Sequence, residues 1–402
     1  MAKTFAELGI APTLLQVLAN LKFEIPTPIQ EKAIPIAIQG KDVIGIAQTG
    51  TGKTLAFSIP IIQRLAGGGQ GLIVLPTREL AIQVDEVFKN VAGSLGLRTA
   101  ILIGGTAMRP QLRDLRNKPH VIIATPGRLI DHLEQRTLKL DNVKILVLDE
   151  ADRMLDMGFA PQLKKIFLSL PKERQTMLFS ATMPTEIMRI ASSHMKLPLS
   201  IEVAPAGTTA ERVTQEIFIV DKSSKIALLS KLLTQYQAST LIFTRTKFGA
   251  KRLAHNIREM GHSATEIHGN RSLGQRKEAL AGFKSGKFRV LVATDIASRG
   301  IDVVGIGLVL NYDLPTDSGD YVHRIGRTGR AGSQGHAISF AEPNQRGDLR
   351  DIERLIRQPL SISQLPTDLP RVRVSASHEI ERDKPFRPHR QQQRGYSNRR
   401  YK

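Results

Sequence analysis

Apolar residues in this chain fall into short runs without alternation, separated by stretches of helical periodicity. In the first half the runs are Asp42–Ile46, Gly71–Pro76, Ala100–Gly105, Val121–Pro126, Lys144–Asp149, Thr176–Ser180 and Leu199–Val203. In the second half they resume at Thr214–Val220, Ser239–Thr244, Ser263–His268, Arg289–Asp295, Gly307–Asp313 and Gly335–Phe340. Such Val-, Ile- and Leu-rich runs are what parallel strands buried on both faces look like. The gaps carry a helical period; Ile226, Leu229, Leu232, Leu233 and Tyr236 share one face. Leu55–Ile59 reads as a helix that continues until Pro60 perturbs it. The pattern predicts an α/β chain of two doubly wound units, each a parallel sheet with helices on both faces.

Breaks in the pattern set the boundaries. Ala204–Ala210 is a small-residue stretch without periodicity and reads as a linker. From Arg371 the chain turns to Arg, Gln, His, Pro and Ser with few apolar residues, which predicts a disordered basic tail. The expected organisation is a first domain over 1–205, a linker over 206–212, a second domain over 213–370 and the tail over 371–402.

Composition narrows the class. A length of 402 residues suits two or three domains, and 41% hydrophobic content is enough to build their cores. With no cysteine, disulfides and Cys-ligated zinc are excluded. The segment Met1–Glu7 has no apolar signal core, and no stretch reaches the roughly 20 apolar residues of a membrane helix. The expectation is a soluble cytoplasmic protein without a membrane partner. Lys and Arg number 57 against 37 Asp and Glu, a net charge of +20. Residues 371–402 hold ten Lys/Arg and three Asp/Glu, so most of the excess lies on the folded body. That distribution favours a polyanionic partner, most simply nucleic acid, over a charge that only serves solubility.

The candidate chemistry begins after the first apolar run. Ala47-Gln48-Thr49-Gly50-Thr51-Gly52-Lys53-Thr54 stands between a strand and a helix, the context of a nucleotide phosphate loop. Glycines let backbone N–H groups curl around phosphate oxygens, and the helix N-terminus adds positive potential. Lys53 can reach the β- and γ-phosphates, and the Thr54 hydroxyl is placed for Mg²⁺. The general pattern starts with Gly, where this chain has Ala47. At the end of Lys144–Leu148 stands Asp149-Glu150-Ala151-Asp152. Asp149 would hold Mg²⁺, which prefers hard oxygen ligands, and Glu150 would orient and deprotonate the attacking water. Alone, such a tetrapeptide is more often an acidic helix start; paired with the phosphate loop it reads as a catalytic site. Ser180 and Thr182 supply hydroxyls able to bond the neighbouring Asp152.

Together these segments resemble the DEAD-box RNA helicases, and most nearly their bacterial RhlE-type members. The resemblance runs from about Phe5 to Phe340. It rests on Phe23 with Pro26-Thr27-Pro28-Ile29-Gln30, the phosphate loop, Pro76-Thr77-Arg78-Glu79-Leu80-Ala81, Gly104-Gly105, Thr125-Pro126-Gly127-Arg128, the Asp-Glu-Ala-Asp tetrapeptide and Ser180-Ala181-Thr182. The second half adds Ile242-Phe243-Thr244, Ala293-Thr294-Asp295 with Arg299-Gly300-Ile301-Asp302, and His323 through Arg330. Ala47 is this family's own variant of the loop.

The resemblance implies two tandem RecA-like domains, a Q motif over 5–31, ATP and Mg²⁺ as cofactors, and RNA-stimulated ATP hydrolysis that unwinds short duplexes locally. It implies that Gln30 reads adenine and Phe23 stacks on it, with Asp302 near the ribose. Arg78, Gly105, Thr125 and Arg128 become RNA contacts in the first domain, and Arg276 and Thr294 in the second. His323, Arg327 and Arg330 become residues that meet the γ-phosphate from the second domain, and Asp152, Ser180 and Thr182 become residues that couple the two domains. Ribosome-assembly or RNA-decay proteins are the partners it implies. Two departures stand out: Lys22 replaces the Gly that usually precedes the Phe, and Leu273 replaces a Gln three residues before Arg276. The rival readings are a DNA-directed enzyme of the same architecture and a non-catalytic RNA-binding module.

The tail gives the first prediction. Deleting residues 371–402 removes seven net positive charges and no motif. RNA affinity should fall and its salt dependence become shallower in a titration across ionic strengths, because fewer counterions are released. Turnover at saturating RNA should stay near that of the full chain. An unchanged salt slope would place the tail off the RNA.

Overall fold

Every apolar run forms a strand in the computed structural model, which describes residues 3–47, 50–203, 213–295, 303, 305–329 and 334–369. Expectations for Gln48, Thr49, Asp302, Arg330, the linker and the tail lie outside the described residues. The first half gives β1 (Val43–Ile46), β2 (Gln70–Val74), β3 (Thr99–Leu102), β4 (Val121–Ala124), β5 (Val143–Leu148), β6 (Gln175–Ser180) and β7 (Leu199–Glu202). The second gives β8 (Val213–Ile219), β9 (Thr240–Phe243), β10 (Ala264–Ile267), β11 (Val290–Ala293), β12 (Leu308–Asn311), β13 (Gly335–Ala341) and β14 (Ser361–Ser363).

Two seven-stranded parallel sheets result, ordered β3-β4-β2-β5-β6-β1-β7 and β10-β11-β9-β12-β13-β8-β14. The permutation is the same in both. Strands of one sheet alternate between two cores. In β5, Ile145 and Val147 join one apolar cluster, while Leu146 and Leu148 join the cluster on the other face. In β11, Val290 and Val292 face the helices at Lys225–Gln235 and Lys247–Glu259, and Leu291 and Ala293 face the opposite side. Both faces are apolar, so the sequence shows continuous runs rather than alternation.

Two local expectations change. The helix after the phosphate loop runs Lys53–Leu65, straight through Pro60. Nearly every residue from Leu55 to Ile62 is buried, and that packing outweighs the hydrogen bond a proline cannot donate. Tyr236 lies just past the helix end at Gln235, in an extended conformation, yet packs on the same apolar cluster, which Leu228 also joins. β14 was not among the apolar runs: it is three residues long, with two of them exposed, and only its pairing with β8 defines it.

Lys22 adopts φ 61, the left-handed region that glycine enters freely. It follows the Pro12–Asn20 helix and turns the chain so that the Phe23 N–H reaches the Leu18 carbonyl at 2.9 Å. The lysine therefore keeps the backbone turn at a steric cost. Lys22→Gly should stabilise the protein by roughly 0.5–1 kcal/mol, the left-handed penalty less the extra freedom of unfolded glycine. Denaturant unfolding at constant m-value checks it; a loss of stability would mean the lysine side chain outweighs the strain.

Candidate active site and nucleic-acid groove

β5, β6 and β1 are neighbours, so their C-terminal ends bring three motifs to one edge of the first sheet. Gly50 and Gly52 both have φ 89, and Gly52 caps the Lys53–Leu65 helix. Ala47 is buried in the core, which suits a methyl group where the general pattern has none. The buried Lys53 donates to the Ala47 carbonyl at 2.9 Å and lies 3.9 Å from Asp149 Oδ1. Thr51 and the half-buried Thr54 complete this turn.

Gln30 ties the N-terminal segment to the loop. Its Oε1 accepts from the Thr27 N–H at 2.9 Å, capping the Pro28–Ile38 helix, and its Nε2 donates to the Gly52 carbonyl at 3.0 Å. A Cβ at Gly52 would overlap that amide, so glycine is required there twice over. Each end of the carboxamide makes one bond and has capacity for a second, the pattern a purine N6/N7 edge needs. Phe23 is 40% exposed.

Asp149 sits at the end of β5 and is buried. Burial pushes its carboxyl up to about 6; Lys53 opposes the shift, and Glu150 and Asp152 add to it. A divalent cation would reverse that balance. One carboxylate beside one hydroxyl, Thr54, is a hard-oxygen set that fits Mg²⁺ ligated otherwise by phosphate and water. Glu150 takes φ 52 and ψ 50 and caps the Ala151–Asp156 helix. This strained turn is held by Asp152. Its Oδ2 accepts from Ala181 N at 3.1 Å, Thr182 N at 2.9 Å and Thr182 Oγ1 at 2.9 Å, its Oδ1 accepts from Arg153 N at 3.0 Å, and its N–H donates to Ser180 Oγ at 3.2 Å. Ser180 and Thr182 therefore meet Asp152 directly.

Across the cleft, the Ser318–Ile325 helix carries His323, and Arg327 follows it, 2% exposed, with Nε donating to the His323 carbonyl at 3.2 Å. Both line a small cavity with Asp295, Asp320, Arg324, Phe243 and, from the first domain, Arg153. Arg324 anchors this wall: its Nη2 donates to Asp295 Oδ2 at 2.7 Å and its Nη1 to Asn311 Oδ1 at 3.1 Å and the Asp313 carbonyl at 2.7 Å, and it stacks over Phe243.

A groove of about 450 Å³ crosses both domains, lined on the first by Arg78, Gly104, Thr125 and Arg128 and on the second by Gly269 and Arg276. Arg78 lies against Gly105, whose φ is 72; a Cβ there would overlap the guanidinium. Arg128 donates to the Thr106 carbonyl at 3.1 Å. Arg276 is ion-paired with Glu79 at 3.0 Å across the domain boundary, and both are buried. Leu273, one turn earlier, packs on the apolar core of the first domain, so the departure there makes an interdomain contact of its own. Thr294 stands at the end of β11, with its N–H on the Ile267 carbonyl at 3.3 Å, and is not part of the groove wall. Sequence reasoning assigned nothing to Glu79, Arg153, Asp295 or Arg324. Three of them lie inside the quoted motifs and Arg153 follows one, but only the fold shows what each touches.

The DEAD/DEAH box helicase family matches residues 27–190, and the helicase conserved C-terminal domain matches residues 224–332. The ATP-dependent rRNA helicase RRP3 of Candida albicans is 47% identical over 343 residues, 84% of this chain and 64% of that protein. The ATP-dependent RNA helicase CshA of Listeria monocytogenes is 44% identical over 367 residues, 90% of this chain and 71% of that protein. S. cerevisiae Dbp5 bound to RNA and ADP BeF3 superposes with a TM-score of 0.82 at 32% identity, over 91% of this chain and 96% of that one. A DEAD box protein from Methanococcus jannaschii gives 0.54 at 39% identity, over 90% of this chain and 99% of that one. Over both domains together the chain therefore superposes more fully on Dbp5 than on the Methanococcus jannaschii protein, despite the lower identity.

The raised Asp149 carboxyl yields a stability prediction. The folded chain holds this proton up to about pH 6, the unfolded chain only to its ordinary value of 3.8. Stability from this group is full below 3.8 and lost as pH rises through 6. Asp149→Asn in EDTA should therefore be more stable than the parent at pH 7, on the order of 2 kcal/mol, and close to it at pH 4. Urea unfolding at the two pH values checks this; an equal difference at both would remove the buried charge as the cause.

Proposed function

We propose a division of labour for this chain, which belongs to the DEAD-box family and is an ATP-dependent RNA helicase. Residues 1–205 bind the nucleotide, residues 213–370 complete the site, and RNA runs along the groove that both share. The observation that carries this reading is that, among the described residues, the two domains meet both at the cavity holding Arg153, His323 and Arg327 and at the Glu79–Arg276 pair. Nucleotide and RNA sites each need both domains, so each ligand favours the same closed state.

In this reading Lys53 moves from the Ala47 carbonyl to the phosphates, and Gln30 reads the base while bracing Gly52. Asp149 and Thr54 would hold Mg²⁺, which supplies charge neutralisation at the β- and γ-phosphates. Glu150 takes the proton of the attacking water. Arg327, with Arg330 and His323, brings positive charge to the γ-phosphate from the second domain, a contribution worth roughly 10³–10⁵ in rate. Arg78, Thr125 and Arg128 hold the RNA backbone, and phosphate contacts of this kind position a strand without reading its sequence. Arg276 acts there mainly as the second-domain half of the Glu79 pair. The cytoplasm is part of the same reading, supported by a chain with no cysteine to oxidise.

Two substitutions test it. Glu150→Gln should retain ATP and RNA binding and nearly abolish turnover, because the phosphate contacts remain and the base is lost. Arg327→Lys keeps the charge but not the planar fork. It should cut turnover while RNA binding in a non-hydrolysable ATP analogue stays near that of the parent. Normal turnover of the Gln variant would show that Glu150 is not the base. A pure loss of RNA affinity in the Lys variant would make Arg327 an RNA contact.

A further inference from the structure

We propose that Arg153 is the positioning residue for the hydrolytic base and that domain closure sets it in place. The inference rests on Glu150 being that base. Arg153 stands one turn after Glu150 on the Ala151–Asp156 helix and is 2% exposed. Its Nη1 lies 3.6 Å from Glu150 Oε2, and both side chains are buried. Its backbone N–H is fixed on Asp152 Oδ1, so the turn that gives Glu150 its left-handed conformation also fixes the backbone from which the guanidinium extends.

Packing does not explain a guanidinium here. Its Nε is buried and makes no hydrogen bond, and its Nη1 has the 3.6 Å ion pair with Glu150 in place of one, an arrangement that costs stability relative to a fully hydrogen-bonded guanidinium. An apolar residue would fill the same space without that cost. Nor is Arg153 held by its own domain alone. It is the first-domain member of a cavity otherwise lined by Phe243, Asp295, Asp320, His323, Arg324 and Arg327, all from the second.

The consequence is electrostatic. In an open cleft the Glu150–Arg153 pair would face water, where an ion pair holds a side chain only weakly. When the second domain covers it, water leaves and the same pair becomes strong. Arg153 then orients the Glu150 carboxylate, and it does so in the arrangement that also brings Arg327 and His323 to the cleft. RNA that closes the domains thereby sets the base as well as the arginine wall, without touching either.

The test compares Arg153→Met, which keeps the stem and loses the cation, with Arg153→Lys, which keeps the cation. Arg153→Gln is a second removal variant in case the Met chain fails to fold. Steady-state hydrolysis is measured in the full chain at saturating RNA, with RNA binding measured separately in a non-hydrolysable ATP analogue. Removing the cation should lower kcat at least about tenfold, the scale of a misplaced catalytic group, with KM for ATP and RNA affinity within about twofold. The Lys variant should recover a large part of that loss. The proposal is overturned if removal leaves kcat within about twofold of the parent, if the loss appears in RNA affinity or KM instead, or if Lys is no faster than Met. Glu150→Gln separates the two ideas. Turnover in that variant ends the base reading itself, whereas an inactive Glu150→Gln beside a normal Arg153→Met ends only the positioning role.

Discussion

The buried carboxylate of Asp152 is the interaction on which the catalytic edge depends. It gathers three donors from Ala181 and Thr182 at the end of β6 and one from Arg153, while its own N–H rests on Ser180. A buried carboxylate is tolerated only when its lone pairs are satisfied, and here three backbone N–H groups and the Thr182 hydroxyl do so. That knot obliges the chain to turn sharply after β5. Glu150 pays for the turn with a left-handed backbone, and its buried side chain lies against Arg153, one residue after the Asp149 that pairs with Lys53.

The second constraint is charge across the domain boundary. Arg153, Arg324 and Arg327 are all about 2% exposed and share one cavity with Asp295 and Asp320. Such a cluster is costly to desolvate unless each charge is matched. Arg324 is matched within its own domain by Asp295, Asn311 and Asp313, which makes the second-domain wall rigid. The groove side repeats the principle with Glu79 and Arg276, and Leu273 adds apolar contact one turn away. Among the described residues, the Glu79–Arg276 pair and Leu273 bridge the domains on the groove side, and the arginine-rich cavity bridges them on the other.

The departures from the family pattern are absorbed locally. Lys22 adopts the backbone that glycine would, Ala47 places its methyl in the core, and Leu273 turns a polar position into an interdomain hydrophobic contact. Each lies where either the backbone or a neighbouring core can take the change.

Local pattern determined a great deal. Strands buried on both faces must be continuous apolar runs, so the strands from β1 to β13 were legible, as were a phosphate loop between strand and helix and an acidic tetrapeptide at a strand end. Local pattern could not show β14, whose three residues are defined only by their partner, or the helix that continues through Pro60 because its surroundings are packed. It could not show that Gln30 braces Gly52, that Arg276 answers Glu79, or that Arg153 faces the second domain. These are contacts between residues 22 to about 200 positions apart, each a charged or polar group whose meaning depends on its partner. Periodicity records which face of an element is buried; it carries no record of what lies opposite, and only the tertiary structure decided that.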